Sequence, residues 1–236
     1  MFIDMGSAGS NFGPASRRLV IQPLSDDTLP RDRSGKGHAV TITGATLSNT
    51  TPVTGTDSVS FTGASSHVIT AKHPSVLAGD FFTIGAGVSA FMEVFFYFPT
   101  LQNAKVFIAG AQALSFISVG VNASNVPIIW TGHAAGNEQT FGSAVSGTTW
   151  HHAIVDIRQG GGSDTKVYLD GTLGYTKSSD PHAYSASQFQ LGGDWGALGF
   201  FTGLAQARLV VGASHPDPTA SAPTTPWEAA SDPAAP

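Results

Sequence analysis

Trp150-His151-His152-Ala153-Ile154-Val155-Asp156-Ile157-Arg158-Gln159-Gly160-Gly161-Gly162-Ser163-Asp164-Thr165-Lys166-Val167-Tyr168-Leu169-Asp170-Gly171 reads as a strand, a glycine-rich loop and a second strand that runs into a turn. A two-residue hairpin of type I′ needs positive φ at both central positions. Asp tolerates that conformation and Gly adopts it freely, so Asp170-Gly171 predicts a chain reversal. Ala153, Val155 and Ile157 fall on one side of the first strand, and Ile154 and Asp156 on the other. The pattern predicts an antiparallel sheet with one drier side.

Working outward, short runs of the same kind recur at 39–43, 58–61, 67–70, 90–98, 105–109, 114–119, 126–130, 150–158, 166–169, 189–191 and 205–211, with Gly, Asn, Ser or Pro in the gaps. Many short strands divided by turn residues, without helical periodicity, predict an all-β, two-sheet antiparallel β-sandwich. In the most apolar run, Met92, Val94, Phe96 and Phe98 share one face; Phe91, Glu93, Phe95 and Tyr97 share the other. Such a strand belongs at the centre of a sheet, because at an edge it would invite pairing between chains. Residues 1–37 are Gly-, Ser- and Asp-rich and read as an N-terminal arm or lead-in. Residues 38–212 read as the jelly-roll domain, and residues 213–236, rich in Pro, Ala, Ser and Thr, as a C-terminal tail.

The chain has 236 residues, enough for one substantial sandwich. Only 11% of them are charged, with 28 Gly and 14 Pro, so turns are many and surface charge is sparse. A net charge of -5 lacks the basic footprint that phosphate neutralisation requires, which excludes nucleic acid as an expected partner. With no cysteine there is neither a disulfide nor a thiolate nucleophile or zinc ligand. Met1-Phe2-Ile3-Asp4-Met5-Gly6 has an early acid and no basic or long apolar segment, so no signal peptide is expected. No run approaches the roughly 18 apolar residues of a membrane span, and membrane insertion is not expected.

Four segments carry a family resemblance. Phe61-Thr62-Gly63-Ala64-Ser65-Ser66-His67-Val68 looks like an early strand and turn, and Met92-Glu93-Val94-Phe95-Phe96-Tyr97-Phe98-Pro99 like a central strand, with Phe95 where Trp is usual. Trp150-His151-His152-Ala153 followed by Lys166-Val167-Tyr168-Leu169-Asp170-Gly171 is the third. Leu191-Gly192-Gly193 with Phe200-Phe201-Thr202-Gly203-Leu204-Ala205-Gln206-Ala207-Arg208-Leu209 is the closing element. In this order they resemble the concanavalin A-like lectin/glucanase superfamily, and more narrowly the laminin-G-like jelly-roll modules of bacteriophage structural proteins. The resemblance implies a non-enzymatic virion protein, a head decoration or a tail or fibre component, made in the host cytoplasm. Its implied partners are other capsid or tail subunits and host surface glycans, with the chain forming a homo-oligomer in the assembly. A secreted or surface bacterial lectin-like domain is the alternative, and a glycoside hydrolase a further one.

Hydrolysis by retention needs two carboxyls about 5–5.5 Å apart. Glu93, Glu138 and Glu228 are the only glutamates, and none has another acid within three residues. Glu93 reads as a structural acid bonded to backbone or to a His. His151 and His152 are adjacent on a strand and point to opposite faces, so they cannot chelate one ion; one ring is expected near Trp150 and the other facing outwards. Gly160-Gly161-Gly162 has no following Lys and reads as a hairpin loop. The resemblance brings calcium into view through loop acids such as Asp164 and Asp194, yet neither sits in an acidic cluster, so no cofactor is expected. Sugar binding needs an aromatic ring for the sugar's C–H face and polar groups for its hydroxyls. Trp130, His133 and Asn137, with Asp194 and Trp195, are the expected ligand-binding residues, on loops. Trp150 is expected in the core.

Overall fold

The computed structural model describes residues 17–24, 27–34, 38–51, 53–61, 67–70, 84–97, 104–109, 117–122, 124–131, 138–147, 149–184, 189–192, 203–222 and 224. In chain order the strands are β1 (Arg17–Ile21), β2 (Val40–Thr43), β3 (Ala45–Ser48), β4 (Ser58–Phe61), β5 (His67–Thr70), β6 (Ala90–Tyr97), β7 (Ala104–Ala109) and β8 (Ile117–Val121). They continue with β9 (Pro127–Thr131), β10 (Glu138–Thr140), β11 (Trp150–Ile157), β12 (Thr165–Leu169), β13 (Thr172–Lys177), β14 (Phe189–Leu191) and β15 (Gly203–Val211). The larger sheet has the order β13-β12-β11-β6-β15-β4-β3, with β1 also paired to β15. The smaller runs β10-β9-β8-β7-β14-β5-β2. Neighbouring strands are antiparallel in both sheets, as the predicted sandwich requires.

The Asp170-Gly171 hairpin forms as expected. Asp170 and Gly171 have φ of 49° and 75°, and Leu169 pairs with Thr172 across the turn. Arg158 (φ 52°), Gly160 (φ 64°) and Gly161 (φ 78°) carry the chain through a short 3-10 turn at Gln159–Gly161, where a hairpin loop was expected. Arg158 is buried and donates to the carbonyls of Val88 (2.7 Å), His182 (2.9 Å) and Gly85 (3.0 Å), tying three segments together.

Between the sheets lies one apolar core. Met92, Val94 and Phe96 of β6 meet Ala153, Val155 and Ile157 of β11, with Leu209 and Val211 of β15 on the other side. β6 is central, flanked by β11 and β15, and only Tyr97 at its end is not fully buried. β11 differs from the expectation of one drier side: both its faces are buried. The reason lies in the C-terminal stretch, which crosses the outer face of the larger sheet. Gly160 N–H donates to Ser214 Oγ (2.6 Å), His215 N–H to Asp156 Oδ1 (3.3 Å) and Thr54 N–H to the Thr224 carbonyl (3.0 Å). Residues 213–222 and Thr224, placed within the tail by composition, form a strap along this route.

The lead-in likewise contributes to the domain. β1 runs along β15 from the Arg17–Val211 pair to the Ile21–Ala207 pair, and Leu19 and Ile21 enter the core. Asp32 then organises the following turn, accepting the N–H groups of Val20 (3.1 Å), Ser34 (2.9 Å) and His38 (3.2 Å). Asp27 is held by Arg33 at 2.6 Å and Arg31 at 3.1 Å, which accounts for the arginines interspersed among acids there.

Candidate functional site

Ser58 and Ser60 alternate with Val59 and Phe61, so β4 turns its apolar side to the core and its hydroxyls to the outer face of the larger sheet. In register across four strands, Trp150 of β11 stands opposite Tyr97 of β6, Tyr97 opposite Gly203 of β15, and Gly203 opposite Ser60 of β4. This row floors a cleft of about 200 Å³ lined by Ser48, Thr50, Ser58, Ser60, Tyr97, Trp150 and Gly203. Trp150 and Tyr97 stack with ring centroids 5.4 Å apart and planes at 29°, and Trp150 stacks on Phe95 behind it at 6.0 Å. A Cβ built at Gly203 would lie 3.1 Å from Trp150 Cη2, so the bare glycine lets the indole lie across the sheet. Ser58 Oγ donates to the Thr50 carbonyl at 2.7 Å, and Ser48 Oγ accepts the Thr50 N–H at 3.2 Å, which fixes the opposite wall.

One edge of the platform is packed against the strap. Ala222 joins Val53, Phe95, Ala205 and Trp150 in a small apolar cluster separate from the main core. A bulge in β15 between Leu204 and Gln206 lets Ala205 enter this cluster, while Leu204 and Ala207 still face the core.

Farther along the same face the strap closes over a buried charged cluster. Glu93 Oε1 accepts His152 Nε2 at 2.7 Å; Glu93 Oε2 is engaged by Arg208 and lies 3.2 Å from His215 Nε2. Arg208 also covers the Phe91 ring at 5.2 Å, and His215 meets that ring edge-on at 4.9 Å. Burial alone would raise the Glu93 carboxyl; hydrogen bonds from His152 and His215 and the Arg208 charge outweigh it and hold the acid well below the usual range. Asp156, whose Oδ2 has no hydrogen-bond partner, is pushed up to about 6 by burial, against the His215 N–H and the charges of His215 and Lys166.

The structure assigns the two histidines to opposite faces, as strand alternation requires. His151 lies on the core side, its Nδ1 2.8 Å from Asp170 Oδ2 and its Nε2 2.7 Å from the Ser146 carbonyl. Burial lowers the His151 imidazole, and these two partners more than reverse that and raise it. The expectation of one ring near Trp150 and one facing outwards is corrected. His152 packs edge-on against Phe95 at 5.6 Å, and both rings are buried, because the strap covers the side that would have met solvent.

Of the expected ligand-binding residues, Trp130 is half-buried near the end of β9, between Ser118 of β8 and Glu138 of β10, on a strand and not a loop. His133, Asn137, Asp194 and Trp195 lie outside the described residues. Asp164 accepts the Ser179 N–H at 3.2 Å. Trp150, expected in the core, is instead half-buried on the outer face, because the first residue of β11 sits opposite Tyr97 and not over the core. Sequence reading missed the cleft. Its signals were present in the Ser58/Ser60 alternation and the Phe95/Tyr97 face, but their convergence depends on register across four strands.

Two antiparallel sheets face to face, with an aromatic and hydroxyl-lined cleft on one of them, define a lectin-like jelly roll. The chain belongs to the concanavalin A-like lectin/glucanases superfamily, whose sequence profile matches residues 62–207. No curated protein matches the sequence. Among solved structures, it is similar to domain 4 of an extracellular arabinanase from Geobacillus stearothermophilus, solved with arabinotriose, at 14% identity and TM-score 0.59 over 86% of this chain and 97% of that one. It is also similar to the binding domain of botulinum neurotoxin serotype G, at 11% identity and TM-score 0.59, over 84% of this chain but only 48% of the toxin domain. A sialidase of Trypanosoma rangeli, solved with the inhibitor DANA, aligns at 12% identity and TM-score 0.60 over 84% of this chain and 31% of its own. Identities this low speak for the fold alone.

Proposed function

We propose that the chain is a non-enzymatic structural component of a bacteriophage particle, a head decoration or a tail or fibre protein, and that its lectin-like module contacts host surface glycans or neighbouring virion subunits. The observation that carries the binding part is the Trp150–Tyr97 platform facing the serine and threonine hydroxyls of β3, β4 and the turn between them. Stacked aromatics receive a sugar's C–H face, and hydroxyls exchange hydrogen bonds with it. The arabinanase domain solved with arabinotriose, which this chain matches over nearly that domain's whole length, supports the same reading.

Glu93 supports the non-enzymatic part. Both of its oxygens are engaged by His152, Arg208 and His215 beneath the strap, so it can neither donate a proton to a glycosidic oxygen nor attack a sugar. The virion part rests on the resemblance of the four sequence segments to phage modules and on a chain with no cysteine and little charge. Peptide mass spectrometry of purified particles tests it: a fixed copy number per particle is expected, and absence from particles overturns the assignment. A glycan array probed with the full chain tests binding, with signal lost in Trp150→Ala as the expected outcome and a blank array for the wild type as the contrary one.

A further inference from the structure

We infer that the cleft on the outer face of the larger sheet takes a neutral sugar residue and discriminates against uronic, sialic and sulfated sugars; this rests on the glycan-binding reading above and names the ligand class of that site. Every described residue that lines the cleft is uncharged: Trp150 and Tyr97 form the floor, Ser60 and Gly203 continue it, and Ser48, Thr50 and Ser58 form the wall. A carboxylate or sulfate drawn against such walls loses water and gains no cation or array of N–H donors, a much larger cost than burying a hydroxyl that finds a hydroxyl partner. Among the described residues, the charged groups on the same face do not compensate: Lys166 stands opposite Asp156, whose carboxyl feels its charge. Arg208 is committed to Glu93 and Phe91. His152 is likewise bonded to Glu93 and lies on the far side of Phe95, which packs on both His152 and Trp150.

The geometry also favours a single ring in contact. Trp150 and Tyr97 stack on each other with planes 29° apart, so the pair offers one ring face at a time, and the space beside it, about 200 Å³, is below the range of sites that enclose drug-sized ligands (roughly 300–1,000 Å³). Ser60, half-exposed beside Gly203 at the end of the floor, is the residue at which a charge would change the selectivity.

The test is a titration of the full ¹⁵N-labelled chain with matched pairs: methyl glucoside against methyl glucuronide, methyl galactoside against methyl galacturonide, and lactose against sialyllactose. The neutral member of at least one pair should shift the Trp150 indole N–H resonance, bind at least tenfold more tightly than its acidic partner, and keep its affinity when salt rises tenfold, because no ion pair is screened. Trp150→Ala, titrated by calorimetry because it lacks the reporting indole, should lose binding of the neutral sugar. Ser60→Arg, which leaves the aromatic floor intact, should gain at least tenfold for the acidic member. An acidic sugar that binds the wild type as tightly as its neutral partner, or a Ser60→Arg chain with no gain for acids, overturns this inference alone. Failure of both members of every pair to bind overturns the glycan-binding reading along with it.

Discussion

A methyl group added at Gly203 would stand 3.1 Å from Trp150 Cη2, closer than nearly all real carbon contacts, so the indole would have to tilt. Gly203→Ala is expected to weaken sugar binding severalfold while costing about 1 kcal/mol or less of stability, since Trp150 is only half-buried and has room to give. Calorimetric titration alongside a thermal melt checks both halves. Gly171 makes a different demand: its φ is 75°, and an added Cβ would meet the Thr219 carbonyl oxygen at 2.9 Å. Gly171→Ala should therefore cost about 1–3 kcal/mol, read from the urea midpoint.

Two buried acids in one region also give opposite pH behaviour. Glu93 titrates below its unfolded value when folded, so the stability it contributes is present above about pH 4.5 and is lost as pH falls further. Asp156 titrates near 6 when folded against 3.8 unfolded, so folding is favoured below about pH 4 and that advantage is lost as pH rises to 6. Asp156→Asn keeps an acceptor for the His215 N–H and removes the charge. It should raise the melting temperature at pH 7 by an amount equivalent to about 1–3 kcal/mol and leave it nearly unchanged at pH 4. An equal gain at both pH values would contradict this account.

At the scale of elements, the C-terminal strap is the part whose role differs most from its composition. Its Pro, Ala, Ser and Thr cannot build a core of their own, but His215 closes the Glu93 cluster and Ala222 packs beside Phe95. Truncation after Gly212 should strip the cover from Glu93, Arg208 and Asp156 and cost about 3–5 kcal/mol, roughly 10 °C in melting temperature, where loss of a detached tail would cost nothing. Differential scanning calorimetry of the truncated chain distinguishes the two.

The same contrast explains what could be read in the sequence. β4, β5 and β14 are legible to the residue, because turn residues bracket apolar runs and tertiary context does not override them. β13, Thr172–Lys177, carries no dry face and is a strand because the Asp170-Gly171 turn folds it back onto β12. β1 is only five residues long and gains its place from a partner nearly two hundred positions away. The cleft was illegible for the same reason: Trp150, Tyr97, Gly203 and Ser60 are ordinary strand residues until pairing puts them in one row.

For the whole molecule, the sandwich gives a rigid platform without disulfides, stabilised by a continuous inter-sheet core and by polar clasps at Arg158, Glu93 and Asp32. Low charge suits the neutral, hydroxyl-rich ligand proposed for the cleft, because association with it would owe little to electrostatic steering. On the proposed reading the ligand sits on the outer face of the larger sheet, and the loops around Trp130 and Trp195 are the alternative site. The most direct measurement compares Trp150→Ala, Trp130→Ala and Trp195→Ala, each verified as folded by its melt, for binding to the glycan that the wild type recognises. The account predicts that Trp150→Ala loses about 2 kcal/mol or more, at least thirtyfold in affinity, while the other two bind as the wild type does. Retained binding in Trp150→Ala together with loss in Trp130→Ala or Trp195→Ala would contradict it.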